Sequence, residues 1–405
     1  MMIIERLTLR AEGVVDGITV PRTLPGEEID GAINAGRIPQ PKILTPSVHR
    51  VSAPCRHYKA CGGCALLHAS DGFVADWKQD VVRQALSAQG LEAPLRPILT
   101  SPPNSRRRAT LAGRRLKSGA LVGFHARASD TVTAIPACQV LDPALLAVIP
   151  ALEDMVIEGG SRNGEMKLTI TAFTQGVEVS VTGGKPLDTA LRMALPQIAG
   201  RHGLARLAWD GEVLLQQEPP TLRMGRALVS PPAGAFLQAT PQGEAALQAA
   251  VKEAVGDARH VVDLFAGCGT FSLPLAETAE VLAVEGLGAM LDSLDLGWRM
   301  APGLKRVTTE IRDLFRRPLL PDELAKFDAV VIDPPRAGAE AQIAEIIRAK
   351  VPVIAAVSCN PVTFARDARA LVQAGYRLDW VQVVDQFRWS AHVELAARFT
   401  HAHIG

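Results

Sequence analysis

Two patterns of hydrophobic and polar residues divide this chain of 405 residues. From about residue 107 to about residue 230, segments such as 166–170 and 177–181 alternate in polarity, as antiparallel strands with one buried face do. After about residue 234, short apolar runs alternate with helical stretches, which is the βαβ pattern of a parallel sheet covered by helices. The strands that this second pattern predicts are 260–264, 281–285, 329–333 and 353–358.

These patterns predict an α/β protein in four parts. Residues 1–48 carry short β-like runs and a turn signal at Leu24-Pro25-Gly26-Glu27, so we expect a small β module there. Residues 49–90 hold a cysteine cluster followed by a helix near 73–89. Residues 91–233 are predicted to form a central α+β region, and residues 234–405 a Rossmann-like domain.

Composition places the chain among soluble globular proteins, with 48% hydrophobic and 21% charged residues. No apolar run reaches the roughly 18–20 residues of a membrane span, and the first ten residues do not resemble a signal peptide. We therefore expect a cytoplasmic protein. Since thiols stay reduced there, its cysteines are interpreted as ligands or nucleophiles before disulfides.

One of these cysteines, Cys359, follows the apolar run 351–357 and is therefore predicted to lie at the carboxyl end of a buried parallel strand. Open α/β sheets bind ligands at that end, and a thiolate is a strong nucleophile. A single cysteine is weak evidence, because many are inert core residues. Two further strand ends strengthen it, the segments 263–269 (DLFAGCG) and 333–336 (DPPR).

The segment DLFAGCG favours a nucleotide-like cofactor. Gly267 and Gly269 allow the backbone to approach a ligand closely, and Glu285 ends the next strand, where an acid accepts hydrogen bonds from ribose hydroxyls. Ser272 stands where the third glycine of a dinucleotide motif belongs, so S-adenosylmethionine fits the pattern better than a nicotinamide cofactor.

Four further cysteines predict a metal site: Cys55, Cys61, Cys64 and the distant Cys138. Four thiolates suit zinc or an iron–sulfur cluster, and spacing alone does not decide between them. Reduced structural cysteines are the metal-free alternative. Gly62 and Gly63, between two of the expected ligands, allow the tight turn that a cluster needs.

The net charge of +1 does not indicate a nucleic-acid partner, but one basic run does. Its cations lie within twelve residues that contain no acid, and they are interpreted either as a solvated face or as phosphate contacts. The members of the run are Arg106, Arg107, Arg108, Arg114, Arg115 and Lys117.

Taken together, these motifs resemble those of the RNA 5-methyluridine methyltransferases, class I enzymes that use S-adenosylmethionine to methylate C5 of uridine. The similar segments in the C-terminal part are DLFAGCGTFSLPLA, AVEG, IDPPRAG, SCNP with TFARD behind it, and HVE. The N-terminal half is similar too, with a β module that resembles the family's barrel-like TRAM domain, the cysteine pattern, RRRATL, LVGFHARAS and IPACQVL. The cysteine pattern is that of the ribosomal RNA branch, so the resemblance implies a 4Fe–4S cluster and places the chain nearest to the iron–sulfur 23S rRNA (uracil-5-)-methyltransferases.

The resemblance also implies roles for individual residues. Cys359 is the nucleophile, and Glu394, in the segment HVE, is the base that removes the C5 proton. Thr270 stands where relatives often have asparagine, and residues 388–390 (RWS) replace a more usual Pro-x-Thr. The positions expected to bind the cofactor are Gln238, Phe265, Gly267, Gly269, Thr270, Glu285, Asp313 and Asp333.

Chemistry explains why these groups belong together. C5 of uracil is a poor nucleophile, but addition of a thiolate to C6 turns it into an enolate carbon that can accept a methyl group, after which a base removes the C5 proton. We therefore expect the protein to methylate a uridine in RNA, and 23S rRNA is the expected substrate. We expect it to be a monomer that binds neither a membrane nor a stable protein partner. The alternatives are a tRNA uridine-C5 methyltransferase and a non-catalytic RNA-binding iron–sulfur protein.

Overall fold

The N-terminal residues form two small sheets in the computed structural model, which describes residues 2–401. A shared apolar core of five side chains, including Ile4, Val20 and Ile38, holds the two sheets together. This arrangement is consistent with the small β-barrel-like module predicted there. The strands are β1 (Met2–Ile3), β2 (Arg6–Leu7), β3 (Gly13–Val15), β4 (Ile18–Val20), β5 (Glu28–Asp30) and β6 (Lys42–Thr45), in the orders β1-β5-β6 and β2-β3-β4.

The cysteine segment leads into a long helix, α1 (Asp71–Ser87), which confirms the helix predicted near 73–89. The helix begins where the Ser70 hydroxyl accepts a hydrogen bond from the Phe73 N–H, 3.4 Å away. One face buries Val74, Trp77 and Val82. Strand β7 (Leu95–Thr100) follows the helix.

The central region is a seven-stranded sheet with helices on it, as the alternating pattern predicts. All neighbouring strands in it are antiparallel except β12 and β13, which are parallel. The order is β10-β9-β8-β11-β12-β13-β14. In chain order the elements are β8 (Arg108–Arg115), β9 (Ala120–His125), β10 (Val132–Ala134), α2 (Pro143–Ala147), α3 (Ile149–Gly159), β11 (Met166–Phe173), β12 (Gly176–Thr182), α4 (Thr189–Arg201), β13 (Arg206–Trp209) and β14 (Glu212–Gln216).

A short hairpin and then the C-terminal domain complete the chain. The parallel strands predicted from the apolar runs are all present, and helices alternate with them. In chain order the elements are β15 (Leu222–Met224), β16 (Ala227–Val229), α5 (Pro241–Val255), β17 (His260–Leu264), α6 (Ser272–Leu275), β18 (Glu280–Glu285), α7 (Gly288–Arg299), β19 (Val307–Ile311), α8 (Pro321–Leu324), β20 (Ala329–Ile332), α9 (Glu340–Ala349), β21 (Val353–Ser358), α10 (Pro361–Gln373), β22 (Tyr376–Asp385) and β23 (Glu394–His401).

The C-terminal sheet has eight strands in the order β19-β18-β17-β20-β21-β23-β22-β7. Strands β17 to β21 are parallel, and β23 inserts antiparallel between β21 and β22. The strand order reverses at β17, which has β18 on one side and β20 on the other. Ligands bind at such a point, in the crevice outside the carboxyl ends of the strands. No helix within residues 2–401 is both long and apolar enough to cross a membrane.

Strand β7 corrects the predicted domain boundaries. It falls within 91–233, yet it pairs in parallel with β22 at the edge of the C-terminal sheet, so that range does not form one unit. The pairing joins segments that are distant in sequence, and the pattern of β7 alone does not reveal its partner. Gln382 of β22 donates a hydrogen bond to the Pro97 carbonyl across this contact (2.7 Å).

A buried ion pair fixes α1 to the end of β22. The Lys78 ammonium lies 2.5 Å from the Asp385 carboxylate, and both side chains are almost completely buried. The ammonium also donates to the Phe387 carbonyl (3.1 Å), and the same Asp385 oxygen accepts the Phe387 N–H (3.0 Å). Helix α1 therefore determines where the chain leaves β22.

We expect Lys78→Met to lower the free energy of unfolding by about 3–5 kcal/mol, because it leaves the Asp385 carboxylate buried without its partner. The matched control is Arg83→Ala on the same helix, whose pair with Asp80 is exposed; it should cost under about 1 kcal/mol. Urea unfolding of both variants measures the difference. Equal losses would show that the buried pair contributes no more than the exposed one.

Candidate active site and cysteine cluster

The register of β21 and β23 brings two predicted residues together. Ser358 pairs with Leu395 in this antiparallel ladder, so the next residues along, Cys359 and Glu394, meet at the same end of the sheet. That end also carries the loops after β17, β18 and β20. The predicted nucleophile and base thus lie on adjacent strands, over the crevice that the fold provides.

The loop after β17 has the backbone that its sequence predicts. Phe265, Gly267 and Gly269 all have positive φ angles, of 63°, 57° and 93°. A Cβ on Gly269 would lie 2.9 Å from Leu294, so this position requires glycine. The Glu285 carboxylate accepts hydrogen bonds from the N–H groups of Gly267 and Leu287, each 3.1 Å away. Glu285 and the glycine loop therefore form one wall of the crevice, and Thr270 ends that loop.

An aromatic pair forms the neighbouring wall. The rings of Phe265 and Phe315 are 5.4 Å apart. Asp313 positions Phe315 by accepting its N–H at 3.0 Å. Phe315, which is half exposed, was not among the predicted site residues. The signal that the sequence offered was an aromatic residue two positions after Asp313.

Two carboxyl groups lie at the ends of β17 and β20, which are neighbours in the sheet. Asp263 is completely buried, and Asp333 is partly buried. Burial raises the pKa of Asp263 to about 7, and Ser272 opposes this shift by donating a hydrogen bond of 2.5 Å. Burial also raises the pKa of Asp333 to about 7. Strongly perturbed carboxyl groups in a cleft are typical of functional sites. Asp333 was predicted, and Asp263 was quoted only as the first residue of its motif.

The surroundings of Cys359 and Glu394 disfavour charge. Burial raises the pKa of the Cys359 thiol, the carboxylates of Glu394 and Asp333 raise it further, and the Arg336 guanidinium lowers it. Burial also raises the pKa of Glu394 well above its usual range, Asp333 adds to that shift, and Arg336 again opposes it. Arg336 is therefore the cation that favours ionisation of both groups.

The segment SCNP is rigid because each of its polar side chains is used. The Asn360 side chain caps α10 by accepting the Val362 N–H (3.1 Å), and its amide donates to the Arg336 carbonyl (2.9 Å). Arg336 also donates to His392 (2.9 Å), in the segment that precedes Glu394. The loops that follow β20 and β21 are thereby joined to the start of β23.

Gln238 lies close to Glu394, the predicted base, and both side chains bind the same amide. It is 3% exposed, and its Oε1 accepts a hydrogen bond of 2.5 Å from the amide of Gln386. The same amide donates to Glu394. Gln386 was missed by the sequence analysis, because a single glutamine after a strand carries no recognisable signal.

The four predicted ligand cysteines line one cavity, together with His57, Phe124 and Arg106. All four are free thiols and partly buried. The sulfur of Cys61 accepts the Gly63 N–H (3.3 Å), and that of Cys138 accepts the Val140 N–H (3.5 Å). Such N–H···S bonds stabilise thiolate ligands.

The cavity depends on a close approach between segments. Gly62 donates to the His125 carbonyl (2.9 Å), and a Cβ on Gly62 would lie 2.8 Å from that oxygen. Burial raises the pKa of Cys61, Cys64 and Cys138, that of Cys64 to about 12. Within residues 2–401, no three His, Cys, Asp or Glu side chains converge as a site for one metal ion requires. Cys268 is separate and packs on Met290, with the two sulfurs 3.3 Å apart.

The cysteine segment also contacts residues 386–393, the loop between β22 and β23. The N–H groups of Ala65 and Leu66 donate to the Trp389 carbonyl at 2.8 and 2.9 Å. The Arg106 guanidinium, which lines the cysteine cavity, lies 5.5 Å from the Phe387 ring. Residues 386–393 are thus held from the side of the cysteine cavity.

The basic run does not form a single surface. Arg107 is buried and pairs with Glu244 at 2.6 Å, while Arg108 donates to the Ala235 carbonyl (3.0 Å). Arg107 also donates to the Gln238 carbonyl (3.2 Å), so these two side chains fix the segment that carries Gln238. In the second half of the run, Arg114 pairs with Glu165 (2.8 Å), Arg115 contacts the Gly160 carbonyl (3.4 Å) and Lys117 is exposed.

The strand order and the glycine loop define a class I methyltransferase domain. The model of the tRNA (uracil-5-)-methyltransferase family matches residues 232–400. An uncharacterized RNA methyltransferase of Caulobacter vibrioides is 44% identical over 393 residues, covering 94% of each chain. The 23S rRNA (uracil(1939)-C(5))-methyltransferase RlmD of Halomonas elongata is 33% identical, covering 99% of this chain and 89% of that protein.

Among solved structures, the tRNA (uracil-54, C5)-methyltransferase of Pyrococcus abyssi in complex with S-adenosyl-L-homocysteine has the same fold. It matches with a TM-score of 0.78 over 99% of both chains, at 23% identity. The chain therefore belongs to the family of RNA (uracil-5-)-methyltransferases, and it is an S-adenosylmethionine-dependent enzyme. Membership of this enzyme family excludes the alternative of a non-catalytic RNA-binding iron–sulfur protein.

We expect Glu285→Gln to weaken binding of S-adenosylhomocysteine about 10- to 100-fold, since it replaces the charged hydrogen-bond acceptor that is predicted to bind the ribose. The control is Glu280→Gln, at the exposed opposite end of the same strand, which should bind normally. Isothermal titration calorimetry measures both affinities. Undiminished binding by the Glu285 variant would remove this residue from the cofactor site.

Proposed function

We propose that this enzyme methylates C5 of a uridine in 23S rRNA, with Cys359 as nucleophile and Glu394 as base. The observation that carries the proposal is their placement on adjacent strands, at the mouth of the crevice formed by Glu285 and the glycine loop. The residues predicted to hold the cofactor fit it: the half of the crevice beside Phe265 is aromatic, and the half beside Asp333 is acidic. S-adenosylmethionine, when bound, supplies an electrophilic methyl group.

Cys359 begins the reaction by adding to C6 of the target uracil. The C5–C6 double bond is consumed, an S–C6 bond forms, and the electron pair moves towards O4, which makes C5 nucleophilic. Burial and two carboxylates raise the pKa of the thiol, and Arg336 lowers it. Cys359 therefore adds as a thiolate that Arg336 stabilises, after its proton has passed to solvent water.

Glu394 ends the reaction. After C5 has gained the methyl group it still carries a proton, and Glu394 removes it. The electrons of the C–H bond restore the C5–C6 double bond and expel the Cys359 sulfur. A buried carboxylate with a raised pKa is a stronger base than an exposed one, which suits the removal of a proton from carbon.

Two variants separate these steps. Cys359→Ala should abolish 5-methyluridine formation while S-adenosylhomocysteine still binds, because Cys359 acts on the base. Glu394→Gln should complete methyl transfer but stall before release, so a protein–RNA adduct that survives a denaturing gel should accumulate. Retained methylation by the first variant, or rapid turnover without adduct by the second, would contradict the assigned roles.

We further propose that Cys55, Cys61, Cys64 and Cys138 hold a 4Fe–4S cluster. The four thiols line one cavity, and backbone N–H groups point at two of the sulfurs, which supports a cluster over unligated structural cysteines. Four thiolates suit zinc as well, and it is the similarity of the cysteine pattern to that of the ribosomal RNA branch that favours the cluster.

The protein purified without oxygen should therefore be brown and contain about four irons per chain. Cys138→Ser should lose the colour and most of the iron. Cys268→Ser is the control, since Cys268 packs under the glycine loop, away from the cavity, and should keep both. A colourless protein with one zinc per chain would refute the cluster.

Ribosomal RNA is favoured over tRNA by the similarity to RlmD over nearly the whole chain and by the cysteine pattern. Among the predicted RNA contacts, Lys117 and the partly exposed Arg114 and Arg115 are best placed to meet phosphates, whereas Arg107 supports Gln238 from inside. The target uridine must leave its stack to expose C6, which is least costly in a loop.

The substrate is tested with RNA from a strain that lacks this gene. The purified enzyme and methyl-labelled S-adenosylmethionine should label the 23S rRNA at a single uridine and leave tRNA unlabelled. Cys359→Ala is the blank for contaminating activities. Label found only in tRNA would replace the ribosomal assignment with the tRNA one.

A further inference from the structure

The amide of Gln386 bonds to four groups around the predicted base. It is 2% exposed and follows directly after β22. Its Oε1 accepts the backbone N–H groups of Ala239 (2.7 Å) and Thr240 (3.4 Å). Its Nε2 donates to Gln238 Oε1 (2.5 Å) and to Glu394 Oε2.

This set of partners fixes the orientation of the amide. A backbone N–H can only donate, so the atom that faces Ala239 and Thr240 must be the oxygen of Gln386. The NH₂ group then faces Gln238 and Glu394, and each of its two hydrogens has an acceptor. A flipped amide would place two donors against two donors and leave the Glu394 oxygen against another oxygen.

The side chain is also held in place by packing. Gly243, in the first turn of α5, lies against it, and a Cβ there would come within 2.6 Å of the Gln386 Cβ and 3.0 Å of its Oε1. The preceding residue, Asp385, is fixed by its buried ion pair with Lys78. Gln386 therefore cannot change its position without disturbing either helix.

The consequence falls on Glu394. One carboxylate oxygen, Oε2, is bound by Gln386, while Oε1 has no hydrogen-bond partner among the described residues and is left for a substrate proton. A hydrogen bond donated to a carboxylate favours its ionised form. Burial and Asp333 favour the protonated form, and Arg336 opposes them. The hydrogen bond from Gln386 acts in the same direction as Arg336.

We propose that Gln386 is a positioning residue for the elimination step: by binding Oε2 it favours the ionised form of Glu394 and leaves Oε1 to take the C5 proton. The same amide fixes the Oε1 of Gln238, so the base and the wall of the pocket are oriented by one side chain. The inference rests on the proposed function, because it takes Glu394 as the base.

The test compares Gln386→Met, which keeps the length of the side chain but has no amide, with Gln382→Met. Gln382 is a buried glutamine of β22, in the strand that leads to Gln386. Its amide donates to the Pro97 and Val383 carbonyls, so it controls for the loss of a buried amide. Release of 5-methyluridine RNA and the fraction of RNA trapped as protein adduct are measured from pH 5 to 10 with saturating S-adenosylmethionine.

For Gln386→Met we expect release to slow about 10- to 100-fold, the effect of losing one hydrogen bond to a charged group, and the adduct to accumulate. The rate of release rises with pH as Glu394 loses its proton. Without the Gln386 donor, the ionised form of Glu394 is less favoured over the protonated form, and the pKa of Glu394 is higher. The rise of the release rate with pH should therefore occur about one pH unit higher than in the wild type. Gln382→Met should show neither change.

If Gln386→Met does not fold, Gln386→Glu provides the second test. It keeps the shape and the acceptor for Ala239 and Thr240, but it sets a carboxylate against Glu394, so the shift should have the same direction and be larger. A rate reduced equally at every pH without adduct, or the same behaviour in Gln382→Met, would overturn the inference. The proposed function would fail separately, in a wild-type enzyme that forms no 5-methyluridine.

Discussion

The antiparallel insertion of β23 between β21 and β22 is the constraint on which the site depends. Parallel strands alone would bring their carboxyl ends to one edge, with loops that lead into helices. Because β23 runs the other way, its first residue arrives at that same edge, and the pairing of Ser358 with Leu395 brings Glu394 to Cys359. A shift of one residue in this ladder would turn Glu394 to the other face of the sheet.

The rest of the chain holds the segment that leads into β23. Helix α1 fixes Asp385 through Lys78, and the cysteine segment binds the Trp389 carbonyl. From the central region, Arg107 supports Gln238 through its backbone carbonyl (3.2 Å) and through Glu244. The residues of the candidate site thus lie in the methyltransferase domain, and elements that precede this domain in sequence hold several of its segments in place.

What could be predicted from the sequence was the part that local patterns determine. The apolar runs located β17, β18, β20 and β21, and the residues at their ends, such as Glu285, Asp333 and Cys359, follow from the topology of such sheets. What could not be predicted depended on contacts between distant segments. Nothing in the composition of β7 indicates that it pairs with β22. The charge of Arg107 likewise did not indicate that this side chain is buried in an ion pair with Glu244. Gln386 was missed for the same reason, since its meaning lies in its four partners.

The edge position of β7 also affects how the chain folds as it is made. Its partner Gln382 lies 285 positions after Pro97, and Asp385 lies 307 positions after Lys78. At about 5–20 residues per second, a ribosome needs roughly 15 to 60 s to make the intervening polypeptide. During that time β7 has no partner strand and the Lys78 ammonium stays in water. The contacts of β7 and α1 with β22 can therefore form only after nearly the whole chain has been translated. A nascent chain interrupted before Tyr376 would lack β22, the strand with which β7 pairs, and would present β7 to other chains.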